Sequence, residues 1–334
     1  MRAAGLQGET YTKTVDDYRR LHDDDGEGSV DERRANYTTL VNQYYDLATD
    51  FYEFGWGQSF HFATRRGKET FAESLARHEH FLADALRLQP GMDVIDLGCG
   101  VGGPMREIAR YSGASIVGIN NNAYQISRGE RHTRRQKMER LTSFQKADFM
   151  QLPFEDGSRD GAYTIEASCH APDKVALFRE VLRTLKPGAS FAGYEWCLTP
   201  LYDASSMRHR QIKKDIEEGD GLPDIALTTE VDQALVEAGF ELIEARDIAP
   251  ESDPFSPWYL PLTGKELTLR SLPRTPLGRT VTNFATRVME RVRIAPQGTS
   301  EVSSFLNRAA DALVAGGETG TFTPMYFFHA KKPE

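Results

Sequence analysis

The chain has 334 residues, 10% of them aromatic, and a formal net charge of −9. That length allows one large core with a lid or subdomain, and the acidic balance argues against nucleic acid as a general partner. Cys99, Cys169 and Cys197 are too scattered for a paired redox or metal motif, and no apolar run approaches the ~20 residues that cross a bilayer. With no basic start and apolar middle at the N-terminus, a soluble, cytoplasmic protein is expected, with no metal.

Residues 1–36 are polar and acidic and read as a flexible, solvated N-terminal arm, with Asp23 to Gly28 its most charged stretch. From Tyr37 the composition changes sharply. Tyr44, Tyr45, Phe51, Tyr52, Phe54, Trp56, Phe60 and Phe62 crowd into one stretch, and Gly55 and Gly57 around Trp56 suit a loop folded over a pocket. An amphipathic helix is expected over Gly67 to Leu88, with Phe71, Leu75, His78, Leu82 and Leu86 on its apolar face. Segment 37–90 is thus read as an aromatic cap and helix.

Next comes Asp93-Val94-Ile95-Asp96-Leu97-Gly98-Cys99-Gly100-Val101-Gly102-Gly103, a strand, a tight turn and, from Pro104, a helix start. Alternation follows. Strands are expected at Val94 to Leu97, Ile116 to Ile119, Phe144 to Ala147, Ala162 to Ile165 and Phe191 to Trp196, with helices near Gln125 to Gln136 and Lys174 to Leu185. The pattern implies a doubly wound parallel sheet. A sixth strand is expected at Glu241 to Ile248 and a seventh at Met325 to Ala330, so the core runs over 91–249 and closes with 322–334.

Between those last two strands, 250–321 reads as a substrate-binding or lid insertion. Leu277, Val281, Phe284, Ala285, Val288 and Val292 share a helical face in a region rich in arginine. A basic amphipathic segment in an acidic protein suits peripheral contact with an anionic membrane surface; a lid helix with solvated arginines is the alternative.

The glycine turn holds a ligand against backbone, because a Cβ would block both positive φ and close approach. Gly98, Gly100 and Gly103 fit a loose dinucleotide pattern, but three details favour S-adenosylmethionine. Asp96 ends the strand where a carboxylate faces an ammonium and would repel a pyrophosphate. No Lys-Ser or Lys-Thr follows the glycines, and the second strand ends in Asn120 and lacks the ribose-binding acid. Asp96, Gly98, Gly100, Gly102, Asn120, Gln125, Asp148 and Phe149 are the expected cofactor residues, with Asp148 toward the adenine amino group and Phe149 against the ring. A strand-end cap is the competing reading of Asp148.

The residues from Asp96 to Ile126, together with Tyr52-Glu53-Phe54-Gly55-Trp56-Gly57-Gln58-Ser59-Phe60-His61-Phe62, closely resemble the sterol 24-C-methyltransferases. So do Glu166-Ala167-Ser168-Cys169-His170-Ala171-Pro172, Tyr194-Glu195-Trp196, Trp258-Tyr259-Leu260-Pro261-Leu262 and Phe322-Thr323-Pro324-Met325. The likeness runs from about Tyr44 to Pro333. It implies a Rossmann-like seven-stranded class I methyltransferase fold with an antiparallel seventh strand, a sterol substrate, and methylation at side-chain carbon 24 followed by a hydride shift and proton loss. Another lipid or prenyl-type acceptor and a non-catalytic sterol carrier are the competing functions. Self-association into a homo-oligomer is left open.

An alkene attacking a sulfonium methyl has no proton to surrender first, so its site should be aromatic and dry, with a base for the later proton loss. Phe54, Trp56 and Phe60, with Trp258 and Tyr259, are the expected substrate contacts, and Tyr52 adds a further ring. Each π face is worth roughly 0.5–2 kcal/mol to a nearby cation. Glu166 and His170, at the end of the fourth strand, are the first candidates for the base, then Glu53 and His61. Ordinary core packing is the alternative for the aromatic residues, and a hydrogen-bonded structural role for the histidines.

Overall fold

The computed structural model describes residues 9–22, 29–265, 287, 290–292 and 298–334. These divide into two compact units, one of 58–200, 226–257 and 323–334, the other of 1–57, 201–225 and 258–322.

The first unit is the α/β core. Helix α4 (Phe71–Ala85) starts on a capping box: the Thr70 hydroxyl accepts from the Glu73 amide at 3.3 Å while Glu73 accepts from the Thr70 amide at 2.8 Å. Strands and helices then alternate through β1 (Asp93–Leu97), α5 (Gly103–Ser112), β2 (Ser115–Asn120), α6 (Ala123–Gln136), β3 (Thr142–Lys146), β4 (Arg159–Ile165), α7 (Lys174–Thr184), β5 (Leu185–Leu198), α9 (Thr228–Ala238), β6 (Glu241–Asp247) and β7 (Phe322–Lys331). Their order is β3-β2-β1-β4-β5-β7-β6. Pairs β1/β2, β2/β3, β1/β4 and β4/β5 are parallel and β6/β7 antiparallel, as the strand pattern and the family resemblance implied. Ile95, Leu97, Ile119, Phe178, Phe191 and Phe328 fill the core between sheet and helices. The order reverses between β1 and β4, so the segments leaving those two strands open the crevice where ligands of such sheets bind.

The other unit is helical: α1 (Glu9–Arg20), α2 (Val30–Ala35), α3 (Tyr37–Gly55), α8 (Met207–Asp220), α10 (Leu260–Thr263) and α11 (Thr299–Thr319). Helices α8 and α11 cross closely at Gly219, where a Cβ would come within 2.1 Å of the Ala309 Cβ. Its core joins Val15, Tyr18, Leu40, Tyr44, Val302 and Phe305. Tyr18 and Val15 are buried and Tyr18 stacks on Phe305 at 5.6 Å, so residues 9–20 are a docked helix where a solvated arm was expected. Asp23 to Gly28 lie outside the described residues. Of the arginine-rich helical face expected in the insertion, only Arg287, Arg291 and Val292 fall among them. Tyr52, Glu53 and Phe54 belong to α3, with Trp56 as its C-cap, where the glycines had suggested a loop. None of the described helices is long and apolar enough to cross a membrane.

Candidate active site

Two segments meet at the carboxyl ends of β1 and β4. The glycine turn leaves β1 with Gly98, Gly100 and Gly102 all at positive φ, the region open to glycine. Gly98 is also a point of close approach, because a Cβ there would sit 2.3 Å from that of Ala167 in the segment leaving β4. Behind the turn, the Asn120 amide donates to the Gly100 carbonyl at 3.1 Å and to Gln125 Oε1 at 2.8 Å. Its oxygen accepts from the Asn122 amide at 2.9 Å.

A third strand of chain, Gln58 to Phe62, runs over that turn. Gly103 has no side chain because Gln58 needs the space: a Cβ would lie 2.1 Å from the Gln58 carbonyl oxygen. Gln58 Oε1 accepts from Arg106 at 2.8 Å, and the buried Arg106 also donates to the Val101 carbonyl at 2.8 Å, tying the segment to the turn and to α5. The Phe60 ring is thereby set against Gly100, with its edge 3.7 Å from where a Cβ would stand. Two residues on, the Phe62 amide donates to Glu166 Oε1 at 2.7 Å.

Glu166 is the other focus. It is buried and takes a left-handed φ of 52°, a conformation that costs a non-glycine residue about 1–2 kcal/mol. The Phe62 amide on one carboxyl oxygen and the Trp196 indole N–H on the other, at 2.7 Å, hold it there. Burial pushes its carboxyl up to about 8, against the downward pull of the His61 charge and these two donors. Asp96 is buried too and accepts from the Tyr163 hydroxyl at 3.0 Å. Burial raises it to about 7, the Tyr163 bond opposing and the Glu79 charge adding to the rise. His61 donates from both ring nitrogens, to the Phe62 carbonyl at 2.7 Å and to Glu79 at 2.9 Å, which is the pattern of an imidazolium. Burial lowers its pKa, but Glu79 more than offsets that and leaves it above the ordinary histidine value.

Asp96 and Glu166 both lie within reach of the His61 ring, and Glu79 is bonded to it. Burial is what drives two of these acids up, and a cationic ligand beside them would relieve that cost.

Comparison with known proteins decides the family. The chain is 52% identical over 320 residues to the cycloartenol-C-24-methyltransferase of Arabidopsis thaliana, covering 96% of this chain and 94% of that one. The chain belongs to the sterol 24-C-methyltransferase family. The sterol 24-C-methyltransferase of Saccharomyces cerevisiae is 43% identical over 330 residues, with 96% and 86% of the two chains covered. Residues 95–193 match the methyltransferase domain family and 269–334 the sterol methyltransferase C-terminal family. Among solved structures, a cyclopropane synthase of Mycobacterium tuberculosis superposes with a TM-score of 0.70 at 18% identity, over 88% of this chain and 98% of that one. The geranyl diphosphate C-methyltransferase of Streptomyces coelicolor does so at 0.62 and 17%, over 89% and 98%. These two speak for the fold alone.

The cofactor of this methyltransferase is S-adenosylmethionine, and the residues present fit it. A turn of positive-φ glycines offers backbone, and a buried carboxylate driven up by burial stands at the strand end. Asp148 caps its own turn, accepting from the Met150 amide at 2.9 Å, with half-buried Phe149 beside it packed on the core. Gln125 is buried and paired with Asn120. His170 is buried in a single 3-10 turn after β4, next to Cys169.

The remaining expected residues belong to the helical unit. The Tyr52 hydroxyl donates to Asp220 at 3.2 Å and lies 2.7 Å from the Tyr44 hydroxyl, while Glu53 and Trp56 are half-buried. Phe54 leaves 77% of its surface exposed. Trp258 is buried edge-on to Tyr259 at 5.4 Å, and both rings press on Gly317 of α11, which is a packing role. Among the described residues no group of three His, Cys, Asp or Glu side chains is placed to hold a metal ion.

Sequence reasoning missed Arg106, Glu79, Tyr163 and Trp196 as parts of this site. Two carried a signal. Arg106 and Glu79 are charged residues standing on the buried faces of α5 and α4, a position that demands a partner.

Proposed function

We propose that the protein methylates carbon 24 in the unsaturated side chain of a sterol, a step of sterol biosynthesis, and that Glu166 takes the proton lost afterwards. The observation that carries the reading is the Gln58–Phe62 segment, which lays an aromatic ring on the glycine turn and delivers an amide to the Glu166 carboxyl in one pass. S-adenosylmethionine, when bound, supplies a methyl group on a positively charged sulfur. Asp96 and the glycine backbone would hold it, with Asn120 bracing Gly100 from behind and Asp148 and Phe149 toward the adenine.

The chain's own work follows from the nucleophile. An alkene keeps no proton that a base must remove first, so what is needed is a face that tolerates positive charge on carbon and a later proton acceptor. The Phe60 π face meets the first need. Glu166 meets the second: each oxygen keeps a lone pair beyond its N–H bond, and a carboxyl raised to about 8 is a far stronger base than an exposed one. Phe62 and Trp196, both buried, keep water from it. His170 and then Glu53 are next in line for the same role.

The test is incubation with labelled methyl donor and a 24-unsaturated sterol, followed by mass spectrometry. The sterol should gain one carbon as an exocyclic methylene. Label in a different lipid, or in none, would replace the sterol reading by another acceptor or by a carrier. Glu166→Gln should lower kcat by about 10²–10⁴-fold, the usual worth of a general base. Its cofactor affinity should change much less, and wild-type turnover in that variant would move the base to His170 or Glu53.

A further inference from the structure

Two buried charges of the α/β core take no part in the reaction as described. Glu195 of β5 is completely buried, and Lys174, the first residue of α7, leaves only 12% of its side chain exposed. They pair at 3.3 Å. An ion pair in such a place adds little to stability, since well-packed apolar side chains of the same volume commonly serve as well. Nor does Lys174 suit its own helix, whose first turn favours negative charge. What the pair grips is the turn that follows Glu166. The Ser168 hydroxyl donates to the Glu195 oxygen that Lys174 also meets, and the Lys174 ammonium donates to the Ser168 carbonyl at 3.0 Å. The other Glu195 oxygen accepts from the Trp196 amide at 3.0 Å, and Trp196 in turn gives its indole N–H to Glu166. Burial pulls the Lys174 pKa down, but Glu195 leads the groups that more than offset it, so the ammonium keeps its charge.

We propose that Lys174 and Glu195 are positioning residues for the methyl transfer: together they clamp the turn that follows Glu166 and the indole that bonds it, and so fix where the Glu166 carboxyl stands. This rests on the reading of Glu166 as the base. The left-handed backbone of Glu166 is one its residue type disfavours, and such a conformation persists only where the surroundings over-determine it. The clamp supplies that constraint from both sides in sequence. Ser168 fixes the chain two residues on, while the Glu166 amide donates to the Tyr194 carbonyl at 2.8 Å, on the same strand as Glu195 and Trp196. Glu195 also acts on Glu166 through space, its charge adding to the rise of that carboxyl.

The test uses the full-length protein with Lys174→Met and Glu195→Gln made together, which removes both charges at nearly constant volume. With a 24-unsaturated sterol, kcat should fall about 10–100-fold, the cost of a displacement of about 1 Å. The Kd for S-adenosylmethionine and the KM for the sterol should stay within about twofold. The rise of kcat with pH should move to lower pH, because the Glu195 charge helps Glu166 keep its proton and His61, the opposing charge, is untouched. A merely structural defect would leave that limb in place. Adding Glu166→Gln to the pair should cost little more than Glu166→Gln alone, since the clamp acts through that carboxyl. Ser168→Ala leaves the ion pair whole and should show a smaller fall of the same kind, and it decides the matter if the paired variant does not fold. Wild-type kcat in the folded variants overturns the proposal, as do losses that multiply in full with that of Glu166→Gln, or a cofactor affinity that falls as far as kcat. Wild-type turnover in Glu166→Gln itself would instead remove the base reading on which the proposal stands.

Discussion

Asp96 shows how one carboxyl reports on the ligand it waits for. In the folded protein its acid form is favoured up to about pH 7, because burial penalises the charge more than Tyr163 repays it. A cationic ligand reverses that preference, so binding should drive a proton off. Cofactor affinity should therefore weaken as pH is lowered from 8 to 6, and titration calorimetry in buffers of different ionisation enthalpy should detect proton release. Asp96→Ala should raise Kd by about 10–100-fold, the range for a hydrogen bond to a charged group. Asp96→Asn keeps a partner for Tyr163 and should give much of the same loss, which separates charge from packing. An affinity flat across this pH range would show that no cation meets Asp96.

At the level of elements, the site depends on how closely the Gln58–Phe62 segment lies on the glycine turn. Gly103 has no unusual φ, so its need for glycine is purely one of space against the Gln58 backbone. Gly103→Ala should push the segment away and cost Phe60 its place on Gly100 and Glu166 its amide donor, lowering both cofactor affinity and kcat. Gly100→Ala meets only an ordinary contact at 3.7 Å and bears the left-handed backbone alone, roughly 1–2 kcal/mol, so it should be the milder change. If Gly100→Ala proves the more damaging in both measurements, the segment does not act as described. The strand alternation and the glycine turn were legible because they repeat or punctuate locally: an apolar run, an acid, then glycines. Helix α8 was not, since its MRHRQIKKDIEEGD carries few apolar residues and gains its place by packing on α11. Nor was the burial of Tyr18, whose neighbours Glu218 and Phe305 lie some hundreds of residues away. Glu166 was found as a candidate from its position after β4, but its two N–H donors come from residues 62 and 196, and pairing at that separation leaves no mark in a local pattern.

Over the whole molecule, the buried acids set an unusual dependence of stability on pH. Asp96, Glu217 and Asp220 are raised to about 7 and Glu166 to about 8, in each case chiefly by burial. Unfolded, such groups titrate near 4. A raised acid binds its proton more tightly when folded, so its contribution is complete below about pH 4 and is lost as pH climbs through 7 to 8. His61, also raised, acts in the same direction. Opposing them, burial holds His78 well below the ordinary histidine value, which withdraws stability as pH falls below about 6.5. Glu69 and Glu180 are lowered, by Arg77 and Arg183 respectively, and their contributions are lost only toward pH 4 and below. Without cofactor, Tm should therefore be highest near the acid end, at about pH 5 or just below, and decline toward 8.5. Added S-adenosylmethionine should raise Tm more at pH 8 than at pH 6, because the carboxylates it needs are by then ionised. Differential scanning fluorimetry across pH 5 to 8.5, with and without the cofactor, checks both slopes. A cofactor-free Tm that climbs steadily to pH 8.5 would mean that these carboxyls are not held in the dry, uncompensated surroundings from which the site draws its affinity for positive charge.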